Sequence, residues 1–280
     1  MILLRRLLPV LLAAVLCACA SPGGGPSLTV AASSDPENVL LANVYAAGLR
    51  YYGTAARVEV VDDALATLDA GKAGVTTGFT GGILARFDPD SQARSPESVY
   101  RAMVGALPEG IAAGDYAVAA EDKPALAVTE ATASRWGGSD LTALVRNCAT
   151  VRTGARTGVA VPGAVGDCTL PATREFGGDA ELFEALRGGA ITAAWTTSAD
   201  TNVPDGVVVL ADRKPALIPA RNAVAIYRRN ELGPMQLRAI NEIAGVLDTA
   251  ALTDMLRKIG GGADPQSVAQ DWLTANPLGR

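Results

Sequence analysis

The chain has 280 residues, of which 49% are hydrophobic, and its formal net charge is −5 at pH 7. This length and composition suffice to bury the core of one large domain or of two lobes. The acidic balance, without a run of Lys or Arg, argues against nucleic acid as a partner, and the absence of His excludes Ser-His-Asp and Cys-His catalysis and Cys/His metal sites.

The N-terminus has the pattern of an export signal. The basic pair Arg5 and Arg6 precedes an apolar run over 7–16 that is too short to span a bilayer comfortably and ends in small residues. The segment "LCAC" then resembles a bacterial lipobox with Cys19 as the lipidated residue. The alternative is ordinary signal-peptidase cleavage near Ala20.

We therefore expect a lipoprotein signal peptide over residues 1–18. The Gly- and Pro-rich stretch that follows, over 19–27, is typical of a flexible tether. A lipid anchor with palmitate at Cys19 would hold the protein at the cell membrane, on its extracytoplasmic face.

Strands and helices alternate in the first part of the mature chain. Ser95, for example, is a capping residue that precedes Pro96 at the first helical position and Glu97 in the first turn. Hydrophobic periodicity and turn residues predict strands over 27–32, 56–61 and 75–79 and helices over 36–53, 62–71 and 95–107. This order predicts an α/β unit with a parallel sheet.

The middle of the chain repeats this alternation, and the end of the chain is helical. The predicted strands are 124–128, 157–162, 191–197 and 206–212, and the predicted helices are 129–137, 139–147, 179–189, 233–248, 249–262 and 264–276. The middle block is predicted to form a second α/β lobe inserted into the first. We place lobe 1 at 28–118 and 219–280, and lobe 2 at 119–218.

Besides the lipidated Cys19, the expected mature chain contains two cysteines, Cys148 and Cys168. Outside the cytoplasm such a pair favours a disulfide, which here would close a loop of about twenty residues and contribute roughly 3 kcal/mol. The alternative is two buried thiols.

The common catalytic motifs do not match this sequence. It has no G-x-S-x-G elbow and no G-x-x-x-x-G-K-[ST] phosphate-binding loop. The acid pairs Asp62-Asp63 and Asp88/Asp90 suit carbohydrate chemistry, but such pairs are nearly always turn and capping residues. We therefore expect no enzymatic activity, no cofactor and no metal.

Four stretches together resemble the substrate-binding proteins of osmoprotectant ABC transporters, the glycine betaine/choline-binding (OpuAC) type. They are "GFTGG" (78–82), "LRGGAITAAWTTSAD" (186–200), "VVLADRKPALIPARNAVAIYRRN" (208–230) and "DPQSVAQDWLTANPL" (264–278). The resemblance covers nearly all of residues 27–278 and is most specific in the last third. It implies an α/β, two-lobed type II periplasmic-binding-protein fold, with the second lobe inserted into the first, that closes on a ligand between the lobes.

In that family the cleft holds a quaternary ammonium against aromatic faces by cation–π contacts. Phe79 and Trp195 fall at two of the aromatic positions; the alternative is that both are core residues under the sheet. The backbone amides of Thr80 and Gly81, at a helix start, would bind a carboxylate. The ligand-binding residues implied by the resemblance are Ser33, Ser34, Phe79, Thr80, Gly81, Trp195, Thr196, Arg221 and Asn222.

The sequence also departs from the family pattern. Ser33 stands where the family usually has a Lys, and the stretch around Cys168, where the family commonly has a carboxylate-binding Arg, contains none. Pro124 stands where an aromatic residue is frequent. Arg221 is a possible replacement for the missing charge. The ligand is therefore open: a choline-like compound, a carnitine-like compound or a different small solute.

The resemblance implies an extracytoplasmic solute-binding lipoprotein of an ABC importer, with a small-molecule solute and the membrane permease as partners, and a monomer as the expected state. The alternative is an envelope lipoprotein with the same fold and an accessory or sensing role. A third hypothesis, an enzyme on this fold, requires apposed carboxylates in the cleft.

Overall fold

The computed structural model describes residues 27–279. The predicted signal peptide and the predicted lipidation of Cys19 lie outside the described residues. Within 27–279, no helix is both long and apolar enough to cross a bilayer.

The first part of the chain forms four strands and four helices. Helix starts follow the predicted capping pattern: Asp35, Asp63 and Ser95 each accept a hydrogen bond from a backbone N–H of the first helical turn. The elements are β1 (Leu28–Ala32), α1 (Pro36–Tyr51), β2 (Ala56–Val60), α2 (Ala64–Asp69), β3 (Val75–Phe79), α3 (Thr80–Phe87), α4 (Pro96–Ala106) and β4 (Ile111–Ala113).

The middle part forms the second set of strands, and the last part is helical after one strand. The middle elements are β5 (Pro124–Thr129), α5 (Glu130–Trp136), α6 (Leu141–Arg146), β6 (Thr153–Arg156), β7 (Ala164–Val165), β8 (Cys168–Thr169), β9 (Arg174–Phe176), α7 (Asp179–Arg187), β10 (Ala193–Thr197) and β11 (Val207–Val209). The last are β12 (Ala223–Arg228), α8 (Pro234–Val246), α9 (Thr249–Gly260) and α10 (Pro265–Ala275).

The strands form two five-stranded sheets, in the orders β2-β1-β3-β12-β4 and β11-β5-β10-β6-β9, and a small β7-β8 pair. In the first sheet β12 runs antiparallel to both of its neighbours, and in the second sheet β5 does the same. All other pairings within the two large sheets are parallel. Each sheet therefore receives its antiparallel strand directly after the chain crosses from the other sheet.

The two crossings of the chain lie side by side. Glu121 and Asn222 form an isolated antiparallel bridge, and the N–H of Asp122 donates to the carbonyl of Arg221 at 2.9 Å. The second sheet is thus inserted between β4 and β12 of the first. The lobe boundaries at 118/119 and 218/219 stay predictions.

One predicted strand is wrong in position. The strand expected over 157–162 is β6, which lies earlier, and Val159 is 45% exposed in a loop. Gly158 has φ +79°, a left-handed conformation that ends the strand before the apolar alternation begins. Within β6, position 154 has room for glycine but not for a larger residue, because a Cβ there would lie only 2.7 Å from the Ile191 side chain. Five further strands were not predicted from the sequence: β4, β7, β8, β9 and β12.

The predicted disulfide is present. Cys148 and Cys168 are bonded, with their Cα atoms 5.7 Å apart. The bond joins the turn after α6 to β8 and so ties the loop that contains the β7-β8 pair to the helical layer of the second sheet.

Candidate functional site

A cavity of about 240 Å³ opens on the first sheet, where β1, β2 and β3 end. Parallel strands of an open α/β sheet end at one edge, and ligands bind at that edge in such folds. The cavity is lined by residues from the loops after β1 and β2, from the first turns of α1 and α2, from β3, from α3 and from the crossing before β12. The polar and charged members are Ser33, Asn38, Asp62, Asp63, Thr76, Thr77, Arg86 and Arg221.

Phe79 is the last residue of β3 and lines this cavity, although its side chain is only 3% exposed. It belongs to the hydrophobic core cluster of the first sheet. The guanidinium of Arg221 lies over its ring, with Cζ 5.3 Å from the ring centroid. The cation that Phe79 contacts in this structure is therefore one that the protein itself supplies.

Arg221 reaches the ring because α3 begins with small residues. A Cβ on Gly81 would lie 2.5 Å from the carbonyl oxygen of Ala220 and 2.8 Å from Cγ of Arg221, so any other side chain would push the crossing away. Among residues 27–279, the buried Nε of Arg221 has no hydrogen-bond acceptor. The guanidinium therefore keeps unused donors at the wall of the cavity.

Thr80 and Asn222 hold this arrangement together and are both buried. The N–H of Thr80 donates to the carbonyl of Asn222 at 2.9 Å, and the N–H of Asn222 donates to Thr80 Oγ1 at 3.0 Å. The side-chain amide of Asn222 donates to the carbonyls of Ala117 and Val118 in the other crossing. In this structure both residues fasten α3 to the two crossings, and neither lines the cavity.

Trp195 and Thr196 lie in β10 of the second sheet, away from this cavity. Trp195 is 3% exposed and packs in the core cluster of that sheet. Thr196 is partly exposed, and its hydroxyl is hydrogen-bonded to the carboxylate of Asp200. Ser34 is exposed and does not line the cavity. The structure thus brings together Ser33, Phe79 and Arg221 of the predicted set and keeps Trp195 apart from them.

The sequence analysis missed several polar residues of the cavity wall. Asp63 caps α2 and pairs with Arg86 at 2.7 Å; the backbone N–H of Ala66 and then Arg86 hold the pKa of Asp63 below its usual range. Thr77 is buried, and its hydroxyl has no hydrogen-bond partner within 27–279. Asp62 lies two residues after the end of β2. This position beyond a strand end is the signal that could have marked it as a site residue, although it was interpreted as a turn residue.

Two carboxyl groups, those of Glu37 and Asp122, lie near Arg221, where α1 meets the first crossing. The carboxyl of Glu37 lies near that of Asp122, which is buried and accepts a hydrogen bond from the N–H of Ala199 at 3.0 Å. Burial, followed by the charge of Asp122, raises the pKa of Glu37 from 4.5 to about 9, while Arg221 opposes the rise. At neutral pH Glu37 is therefore protonated, at the place where α1 meets the first crossing.

This proton makes stability depend on pH. The unfolded chain releases it near pH 4.5 and the folded chain only near pH 9, so the free energy of unfolding should fall as pH rises between these values. We expect Glu37→Gln to remove most of that slope and to raise the free energy of unfolding at pH 8 by about 1–3 kcal/mol. Urea denaturation at pH 5 and pH 8 measures both effects.

Glu59→Gln is the matched control, because Glu59 is an exposed residue of β2 that pairs with the equally exposed Arg57. It should leave the slope unchanged. A Glu37→Gln variant whose stability follows the parent at both pH values would contradict the raised pKa of Glu37.

The family model for the substrate-binding domain of ABC-type glycine betaine transport systems (OpuAC) matches residues 26–275. No curated protein sequence matches the chain. Among residues 27–279, no cluster of His, Cys, Asp or Glu is able to hold a metal ion.

Solved structures with the same fold cover nearly all of the chain. A glycine betaine/carnitine/choline ABC transporter protein is 17% identical, with a TM-score of 0.72 over 89% of this chain and 98% of that one. Apo YehZ from Escherichia coli is 18% identical, with a TM-score of 0.67 over 90% and 99%. Lactococcal OpuAC, closed on glycine betaine, is 15% identical, with a TM-score of 0.55 over 89% and 96%. These similarities confirm the predicted two-lobed type II fold with its inserted second lobe.

Proposed function

Because the chain belongs to the OpuAC family, the substrate-binding domains of ABC-type glycine betaine transport systems, we propose that it binds a small osmoprotectant-type solute, a quaternary ammonium or a related polar compound, and passes it to an ABC permease. The observation that carries this proposal is the cavity at the ends of β1, β2 and β3, beside the crossing that contains Arg221. Ligands of open α/β sheets bind at this edge.

The second lobe closes over the solute in our proposal. All residues that line the cavity fall within the predicted lobe 1, and within 27–279 the chain passes between the two sheets at the paired segments around Glu121 and Asn222. Short crossings of this kind absorb the backbone rotation of a hinge. Thr196, partly exposed on β10, is our candidate contact from the opposite wall; the burial of Trp195 in the core argues against its direct contact.

The same proposal includes the location of the protein. Cys19 would carry the lipid, and residues 19–27 would tether the first strand to the extracytoplasmic face of the membrane as a monomer. This location puts the cavity within reach of a permease while it leaves the lobes free to close.

A cavity-blocking substitution tests the assignment. We expect Ser33→Tyr to lower the affinity for the transported solute at least about 10-fold, because Ser33 is a loop residue at the cavity wall and a larger side chain there takes up the solute's volume. The measurement is calorimetry of residues 27–280 against methylated amines, betaines, amino acids and polyols.

Ser134→Tyr is the control, since Ser134 is exposed on α5 of the other lobe; its affinity should match the parent. Unchanged affinity in Ser33→Tyr would place the solute elsewhere, and a chain that binds no solute of the panel would contradict the proposed function.

A further inference from the structure

The aromatic surface of the cavity is already occupied. Within the described part of the chain, Phe79 is the one aromatic residue that lines the cavity, and the guanidinium of Arg221 covers its ring. A fully methylated ammonium has no N–H to donate and depends on open aromatic faces for its attraction. This wall offers it no such face.

Arg221 is also the group on this wall that is best suited to an anion. Arg86, the other cation of the lining, is paired with Asp63 at 2.7 Å. Arg221 forms no ion pair within 4 Å in the described chain, and its buried Nε lacks an acceptor. The nearby Glu37 is protonated at neutral pH and does not neutralise it. A guanidinium with free donors matches the two oxygens of a carboxylate.

Acceptors for N–H groups line the same cavity. Asp62 forms no ion pair among residues 27–279, in contrast to the paired Asp63. Thr77, which is 7% exposed, also lines the cavity, and its buried hydroxyl has no hydrogen-bond partner within 27–279. A buried acceptor is satisfied by an N–H and is left unpaired by an N-methyl group. A volume of about 240 Å³ favours a compact solute over a drug-sized one.

We propose that this cavity selects a small amino-acid-like zwitterion: its carboxylate binds the guanidinium of Arg221, and its ammonium, which keeps N–H bonds, binds Asp62 and Thr77. The proposal rests on the proposed function and narrows its solute class. Arg221 sets the specificity, because its guanidinium takes the position over Phe79 at which a methylated cation would otherwise bind.

Two methylation series test the proposal by calorimetry. One runs from glycine through N-methylglycine and N,N-dimethylglycine to glycine betaine, and the other from 4-aminobutanoate to its N,N,N-trimethyl form. Within each series the carboxylate is constant and only the number of N–H donors changes. In each series whose unmethylated member binds, we expect affinity to fall at least about 10-fold from the first to the last member. A smaller fall, equal or tighter binding of a trimethylated member in either series, or binding of choline would overturn the proposal.

Arg221→Met removes the guanidinium and keeps a long side chain. We expect it to weaken binding of the preferred zwitterion at least about 30-fold and to reduce the discrimination against N-methylation; Arg221→Lys, which keeps the charge, should recover part of the loss. The matched control is Arg174→Met, because Arg174 lies over Phe176 at 5.0 Å in the other lobe, far from the cavity lining. Its binding should stay within about twofold of the parent.

Circular dichroism establishes that each variant is folded, so that lost affinity reports the site. If another class of solute binds and neither series does, the inference is wrong and the proposed function stands. If no solute in the wider panel binds to the folded parent, both this inference and the proposed function are wrong.

Discussion

Phe79→Ala should lower the free energy of unfolding by about 3–5 kcal/mol. The ring is 3% exposed and belongs to the core cluster of the first sheet, so its removal leaves a cavity as well as losing buried area. It also removes the surface on which the guanidinium of Arg221 rests. Chemical denaturation followed by circular dichroism measures the loss.

Phe87→Ala is a close control. Phe87 ends α3, is partly buried, and has the guanidinium of Arg86 6.0 Å from its ring centroid. Because less of its ring is buried, its loss should be smaller, about 1–2 kcal/mol. Phe79→Leu should keep most of the stability and, if Arg221 is the group that binds the solute, most of the affinity. A Phe79→Ala protein as stable as the parent would show that the ring is not part of the core.

Asp212→Ala should also cost about 3–5 kcal/mol of unfolding free energy. The Asp212 side chain is 4% exposed and accepts from Nζ of Lys123, itself 12% exposed, at 3.2 Å. It also accepts from the N–H groups of Leu217 and Ile218 at 2.9 and 3.1 Å. Alanine there would leave the N–H groups of Leu217 and Ile218 without their acceptor. It would also leave the Lys123 ammonium with Glu121, at 3.5 Å, as its remaining ion-pair partner within 27–279.

The neighbouring residue supplies the control for this measurement. Arg213 pairs with Asp140 at 3.7 Å, but its side chain is 72% exposed, and exposed pairs contribute about 0–1 kcal/mol. Arg213→Ala should therefore change the free energy of unfolding little, and Asp212→Asn should fall between the two. Similar losses for Asp212→Ala and Arg213→Ala would contradict the importance of the buried pair.

The α/β alternation was predictable because most helices have capping residues and long apolar stripes that are visible in the sequence. Four of the strands that were not predicted, β4 and β7 to β9, have two or three residues each, too few to show a period. The fifth, β12, has six residues, but its mostly buried, nearly continuous apolar run shows no alternation between two faces. Gly158 shows the opposite difficulty: the apolar alternation after it predicted a strand, and the left-handed backbone at the glycine prevents it.

The candidate site was predictable only in part, because its contacts join residues far apart in the chain. The position of Phe79 at the end of a strand favoured the edge of the sheet, and Phe79 does line the cavity there. Trp195 also lies near the end of a strand, but this position does not predict on which face of the sheet its side chain lies. In the structure that side chain packs into the core of the second sheet. The contact of Arg221 with the ring of Phe79 depends on the antiparallel pairing of β3 with β12. This pairing places Phe79 opposite Ala223, two residues after Arg221. Nothing local in either segment reveals that pairing.

The central place of β12 also determines which lobe can finish folding first as the chain emerges N-terminus first. β12 separates β3 from β4 in the first sheet, yet it follows every strand of the second sheet in the chain. The second sheet can therefore complete its hydrogen bonds while the first still lacks the strand that joins its two parts. Long-range pairing of this kind is slow because a large loop must close before any contact forms. We therefore expect the inserted lobe to complete its sheet first during synthesis, and the N-terminal lobe, although it emerges first, to be completed last.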